Sequence, residues 1–299
     1  MSTTAQQVKN PPATPVNYVE VIKDIEEFYS DHTVPVYCPV SAATVQFKPL
    51  SVLQLKQFIE LQVSAGKDEY GVLPGLNAIT ALNNTILQNA TEYSKDKLLS
   101  GLTVIDRDAI VLQLRCSVKA EAEVLISPES DETEIIDLKS VVSQVKGTKY
   151  PAKLKSKKKK FDFGSGSINL TMRVPTLQRD SEINDRFQKH IIPTLRKGRK
   201  FVEKNAEQVL SSVYFLELCK YIDNLVIIKG KTETTVDFGN INNFDENLLL
   251  LEKLPSKIVS EVSSFMVDVR KYRDEIFSYT NSDDKRVPLD IDIALFAGI

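Results

Sequence analysis

Acyl or phosphoryl transfer needs a nucleophile beside a base, and this sequence offers only two histidines, His32 and His190. Neither stands in a recognisable motif. His190 falls on an apolar helical stripe with Phe187 and Ile191 and reads as a packed residue; His32, after Ser30-Asp31, reads as a loop residue. Three cysteines, Cys38, Cys116 and Cys219, are odd in number and far apart. They suggest neither a disulfide framework nor a zinc ligand pair, and read as buried thiols of a reducing compartment. Glu129, Asp131, Glu132 and Glu134 cluster, but lack the glycine that shapes an ion loop, and read as a solvated hairpin tip. Gly164-Ser165-Gly166-Ser167 lies between strand-like runs, without the helix and lysine that follow in phosphate loops, and reads as a β-turn. The sequence thus assigns no catalytic, cofactor-binding or metal-binding residue, and implies no cofactor and no enzyme.

What remains is local charge. Lys146, Lys149, Lys153 and Lys155 lead into the run Lys157, Lys158, Lys159 and Lys160, and seven acids between Glu121 and Asp137 precede them. The run is either an arm that docks on an acidic protein surface or a phosphate backbone, or a solubilising loop between strands. No aromatic residue interleaves the lysines, which makes a nucleic-acid partner the less favoured reading. The candidate partner-binding residues are therefore Lys153, Lys155, Lys157, Lys158, Lys159 and Lys160, joined by Arg107, which with Asp106 could form a binding pair.

The elements that must position these residues follow from apolar spacing. The 299 residues are 42% apolar and 26% charged, enough for a real core, and the formal net charge is only −2. Residues 1–16, with Pro11, Pro12 and Pro15, read as a disordered tail and not as a signal peptide. No run of about 18 apolar residues could span a membrane. The expected class is α+β: a mostly helical body with short hairpins and an inserted antiparallel β-rich module. Residues 17–117 hold a hairpin (Val34–Val40, Thr44–Phe47) and helices, one capped by Ser51 and one starting near Asp106 and pointing Arg107, Gln113 and Arg115 outward. Residues 118–175 alternate with period two, and Val141, Val142 and Val145 continue a β-like composition. This segment is expected to project as a β-rich insertion, with the lysines displayed at a hairpin or loop tip. Residues 176–299 return to helical spacing and pack on 17–117; they contain a small hairpin at 225–238, and Val287–Phe296 reads as a last strand.

Several phrases resemble one family. Val45-Gln46-Phe47-Lys48-Pro49-Leu50-Ser51-Val52 and Leu102-Thr103-Val104-Ile105-Asp106-Arg107 leading to Leu114-Arg115 look like the baseplate hub proteins of T-even-like contractile-tailed bacteriophages. Tyr221-Ile222-Asp223, Val236-Asp237-Phe238, Leu251-Glu252-Lys253-Leu254-Pro255 and the closing Leu289-Asp290-Ile291-Asp292 with Leu295-Phe296 are similar too. The likeness lies in order and spacing, in two blocks flanking residues 118–175, over about two thirds of the chain. The chain departs from the family in its N-terminal tail and lysine-rich arm, and no cysteine stands near Ser127-Pro128-Glu129, so no zinc knuckle carries over. The resemblance implies a non-enzymatic structural or assembly protein of the tail baseplate hub. Its partners would be other phage baseplate or tail proteins, and its place the host cytoplasm during assembly and the virion tail baseplate. A tail assembly chaperone and a nucleic-acid-binding accessory protein are the alternatives.

Overall fold

Val34–Cys38 (β1) and Ala43–Phe47 (β2) alternate, and antiparallel pairing turns Val36, Cys38, Val45 and Phe47 inward together. The turn between them holds Ala42 at φ 52°. In the computed structural model, which describes residues 17–65, 72–125, 133–190 and 206–296, this hairpin lies on a central helix in an α+β fold.

Helix α1 (Tyr18–Asp31) starts where Asn17 accepts the Val19 amide. Helices α2 (Val52–Ala65) and α3 (Val72–Asn89) pack as a pair. Ser51 caps α2 as its sequence suggests: its Oγ accepts from the Gln54 amide, and the Gln54 side chain accepts from the Ser51 amide. The short α4 (Lys95–Gly101) leads to α5 (Val104–Val118). α5 begins two residues before Asp106, with Thr103 as its N-cap. It is buried almost all round, so no polar face is left for side chains to point into. Gln113 and Arg115 accordingly point inward, against the outward placement their polarity suggested. Gln113 exchanges hydrogen bonds with both backbone groups of Tyr37 on the edge of β1, and Arg115 donates to the carbonyls of Leu295, Lys119 and Glu121.

Residues 118–175 depart most from expectation. Glu121–Leu125 (β3) and Thr133–Asp137 (β4) do form a hairpin. The valines after it belong to a helix, α6 (Leu138–Gly147): Leu138, Val141 and Val145 recur at helical spacing and are buried, and Asp137 caps the first turn. Helical spacing prevailed over β-branched composition. After α7 (Ala152–Lys155), Ser156–Phe163 (β5) and Gly166–Arg173 (β6) join a four-stranded antiparallel sheet with β7 (Ile222–Lys229) and β8 (Thr232–Asp237), in the order β5-β6-β7-β8. Leu170 and Met172 are fully buried, so this stretch is core and does not project as a module. At the β5–β6 turn the Gly166 position lies so near Ile228 O of β7 that any side chain there would collide with it.

Helix α8 (Leu177–His190) and α9 (Ala206–Tyr221) pack together, and α10 (Phe244–Lys253) packs on α9. The long α11 (Ser256–Ile276) presents Ile258, Val262, Phe265, Met266 and Val269 to the core. Gln144 of α6 donates to the last carbonyls of α11, Glu275 O and Ile276 O. A two-stranded pairing of Ser278–Thr280 (β9) with Arg286–Pro288 (β10) follows. Of the expected last strand, Val287–Phe296, only Val287 and Pro288 are strand, as part of β10; the described residues then close with a 3-10 helix, Ile293–Phe296, which seats Phe296 against Phe58 at 4.6 Å between ring centres. The 1–16 tail, the carboxylates Glu129, Asp131 and Glu132, and Ile191 of the stripe expected with Phe187 and His190 lie outside the described residues.

Candidate functional site

The lysines expected at a hairpin or loop tip stand in a short helix and the edge strand that follows it. Lys153 and Lys155 are exposed on α7, and the run 157–160 occupies the first half of β5, away from the Gly164-Ser165 turn. Strand alternation divides the run between two faces. Lys157 and Lys159 share a face with Phe161 and lie opposite Met172 and Leu170; Lys158 and Lys160 point to the other side. Lys157 is fastened to Glu261 of α11 at 2.7 Å, and Lys160 to Asp162 at 2.8 Å. Lys257 of α11 sits over the Phe163 ring at 3.9 Å. Lys158 and Lys159 are exposed and have no ion partner among the described residues. The strand is held because its backbone pairs with β6 and its neighbours are anchored in the core; repulsion between lysines is relieved by splitting them across the sheet.

Arg107 is not available to a partner. Its guanidinium binds Asp180 of α8 at 2.8 Å and lies 3.6 Å from Asp108. Asp180 also takes Lys220 of α9 at 2.9 Å, and Lys220 binds Glu217 at 2.9 Å. On the other side Asp108 takes Arg273 of α11 at 2.7 Å. Alternating charges thus run through α9, α8, α5 and α11, with Asp180 and Lys220 among the buried residues. Burial would push the Asp180 carboxyl up, but the Lys220 ammonium and the Arg107 guanidinium outweigh it and hold it below its ordinary value. Burial opposes the charge on Lys220 as well; Asp180 and Glu217 overcome it and raise the group. The relay was missed in the sequence because its members are dispersed from residue 107 to residue 273. The available signal was charged residues set inside apolar helix patterns.

Asp106 works locally and at long range. Its carboxylate accepts from the Thr103 amide while Thr103 Oγ accepts from the Asp106 amide. The same carboxylate accepts from the Val40 amide at 2.9 Å and the Ser41 hydroxyl at 2.6 Å. It therefore fastens the β1–β2 turn, including the strained Ala42, to the start of α5. Cys38 and Cys219 are buried and Cys116 is half-buried, all as free thiols. Burial pushes the Cys219 thiol up to about 12 and raises the other two. His32 is exposed just after α1, and His190 is the last residue of α8.

No group of His, Cys, Asp and Glu that could hold a metal occurs among the described residues, and no helix among them is long and apolar enough to cross a membrane. Comparison with family models, curated proteins and solved structures gave no match to this chain.

Proposed function

We propose that this chain is a non-enzymatic structural or assembly protein of a contractile-tail baseplate hub, acting through protein–protein contacts during phage morphogenesis. The observation that carries the reading is an apolar stripe left in water: on α1, Val21, Ile22, Ile25 and Phe28 are 41%, 56%, 49% and 78% exposed. A stripe of this kind on an amphipathic helix marks an interaction surface. The ordered phrases that resemble hub proteins supply the context. Val45–Leu50 and Leu102–Arg107 fall on the β1–β2 hairpin and the α5 start that Asp106 ties together. The exposed Lys158 and Lys159 would give an acidic hub partner a place to dock along β5.

Quantitative mass spectrometry of purified virions tests the role. A hub component appears at fixed stoichiometry with the baseplate. Abundance in infected cells together with absence from virions would replace this reading with that of an assembly chaperone. Splitting the lysines between two faces weakens the phosphate-backbone alternative. A filter-binding salt titration showing tight, steeply salt-dependent binding to nucleic acid would restore it.

A further inference from the structure

Helix α1 and a groove elsewhere on the surface have matching chemistry. The groove, of about 390 Å3, runs between the start of β1, the end of α5 and the outward stripe of α6. Val34, Pro35, Cys116 and Val142 give it an apolar lining, and Lys139 and Lys146, about two turns apart on one stripe of α6, place two ammonium groups along it. On α1, Val21, Ile22, Ile25 and Phe28 lie within about one third of the helix circumference. Beside them stand Glu20, Asp24 and Glu27 against the single Lys23. An acidic helix with one apolar stripe is the ligand that an apolar trough edged by lysines selects.

Only His32 and Thr33 separate α1 from Val34, so the helix is rooted on the lip of the groove. In the chain's own fold those two residues leave the α1 stripe in water and the groove open. We propose that α1 of one copy lies in the groove of a second copy, with Phe28 and Ile25 on the apolar lining and the acidic flank against Lys139 and Lys146. Because root and groove adjoin, the exchange is reciprocal, and two chains close into a two-fold dimer by trading helices. The inference rests on the reading of α1 as an interaction surface and names its partner. Dimerisation is measured on purified protein and hub incorporation on virions, so either can fail alone.

The test uses the full chain carrying Phe28→Cys, oxidised with copper phenanthroline. The expected product is a reducible species of twice the chain mass, joined between the introduced thiol and Cys116 of the other chain, as identified by peptide mass spectrometry. Cys38 and Cys219 are buried and do not compete. Lys139→Glu with Lys146→Glu should cut the yield of that species about tenfold. Light scattering of the unaltered protein should show a concentration-dependent dimer. Phe28→Asp should be a monomer with an unchanged circular dichroism spectrum, because its side chain is in water in the free chain. A monomer at every micromolar concentration would overturn the proposal. So would a bond within one chain, which places α1 in its own groove, or a cross-link yield indifferent to the charge reversal.

Discussion

Asp106 shows how one side chain carries more than its local motif announces. The spacing of Thr103 and Asp106 betrays a helix start in the sequence, but the tie to Val40 and Ser41, some 65 residues away, does not appear in any local pattern. Losing a cap alone costs about 1 kcal/mol. Asp106→Ala also strands the buried Val40 amide, and should cost about 3 kcal/mol in urea unfolding, against about 1 for Thr103→Ala. Equal losses would reduce Asp106 to a cap. Asp180 and Lys220 carry the pH dependence. The Asp180 value is depressed on folding, so its contribution is complete above the unfolded value of about 4 and is lost as pH falls through the depressed one. The Lys220 value is raised, so its contribution is complete below about 10.4 and is lost as pH rises through the raised one. The contribution of this pair should therefore be flat between these limits, while the three thiols, raised on folding, withdraw stability as pH rises above their unfolded value of about 8.5. Asp180→Ala, which leaves Lys220 and Arg107 buried without their shared partner, should cost about 3–5 kcal/mol at neutral pH. A melting temperature within a degree of the parent would show that the relay contributes nothing.

Among the elements, β5 is the one whose role the sequence obscured. Four successive lysines look like a hydrated arm, because charge density is legible in one dimension and strand pairing is not. The partner strand β6 was recognisable from its alternation, but its bond to β7 joins segments that are adjacent only in space. Lysines on a sheet edge also deter pairing with another chain's edge. Changing Lys157, Lys158, Lys159 and Lys160 together to Gln should alter unfolding free energy by about 1 kcal/mol or less, since the Lys157–Glu261 pair is partly exposed. The same variant should aggregate more readily and bind an acidic hub partner more slowly, with a flatter salt dependence. Unchanged association kinetics at low and physiological salt would leave β5 with the protective role only. Helix α6 teaches the complementary lesson. Its valines suggested strand by type, while Leu138, Val141 and Val145 specified helix by spacing.

At the scale of the whole molecule, the α+β class and most helices were readable from apolar period, and the independence assigned to residues 118–175 was not. The sheet order β5-β6-β7-β8 and the contacts of α6 with α5, α11 and β9 weave that stretch into both halves. The same interweaving appears at Phe296, which fills the space bounded by Leu50, Phe58, Leu82, Ile86, Val111 and Leu114 and leaves a void of only about 10 Å3. Phe296→Ala should cost about 3–5 kcal/mol, read by chemical denaturation, and should loosen the α2–α3 pair first in hydrogen exchange. Uniform loss of protection across the fold would mean that the pair has no separate dependence on this ring. The seat of Phe296 also sets a timetable for synthesis. Phe58 leaves the ribosome about 240 residues before its ring partner, which at ~5–20 residues per second is a wait of roughly 10–50 s. For that interval the oily side of the α2–α3 pair is uncovered in a nascent polypeptide, and chaperones that shield emerging chains have their natural client there.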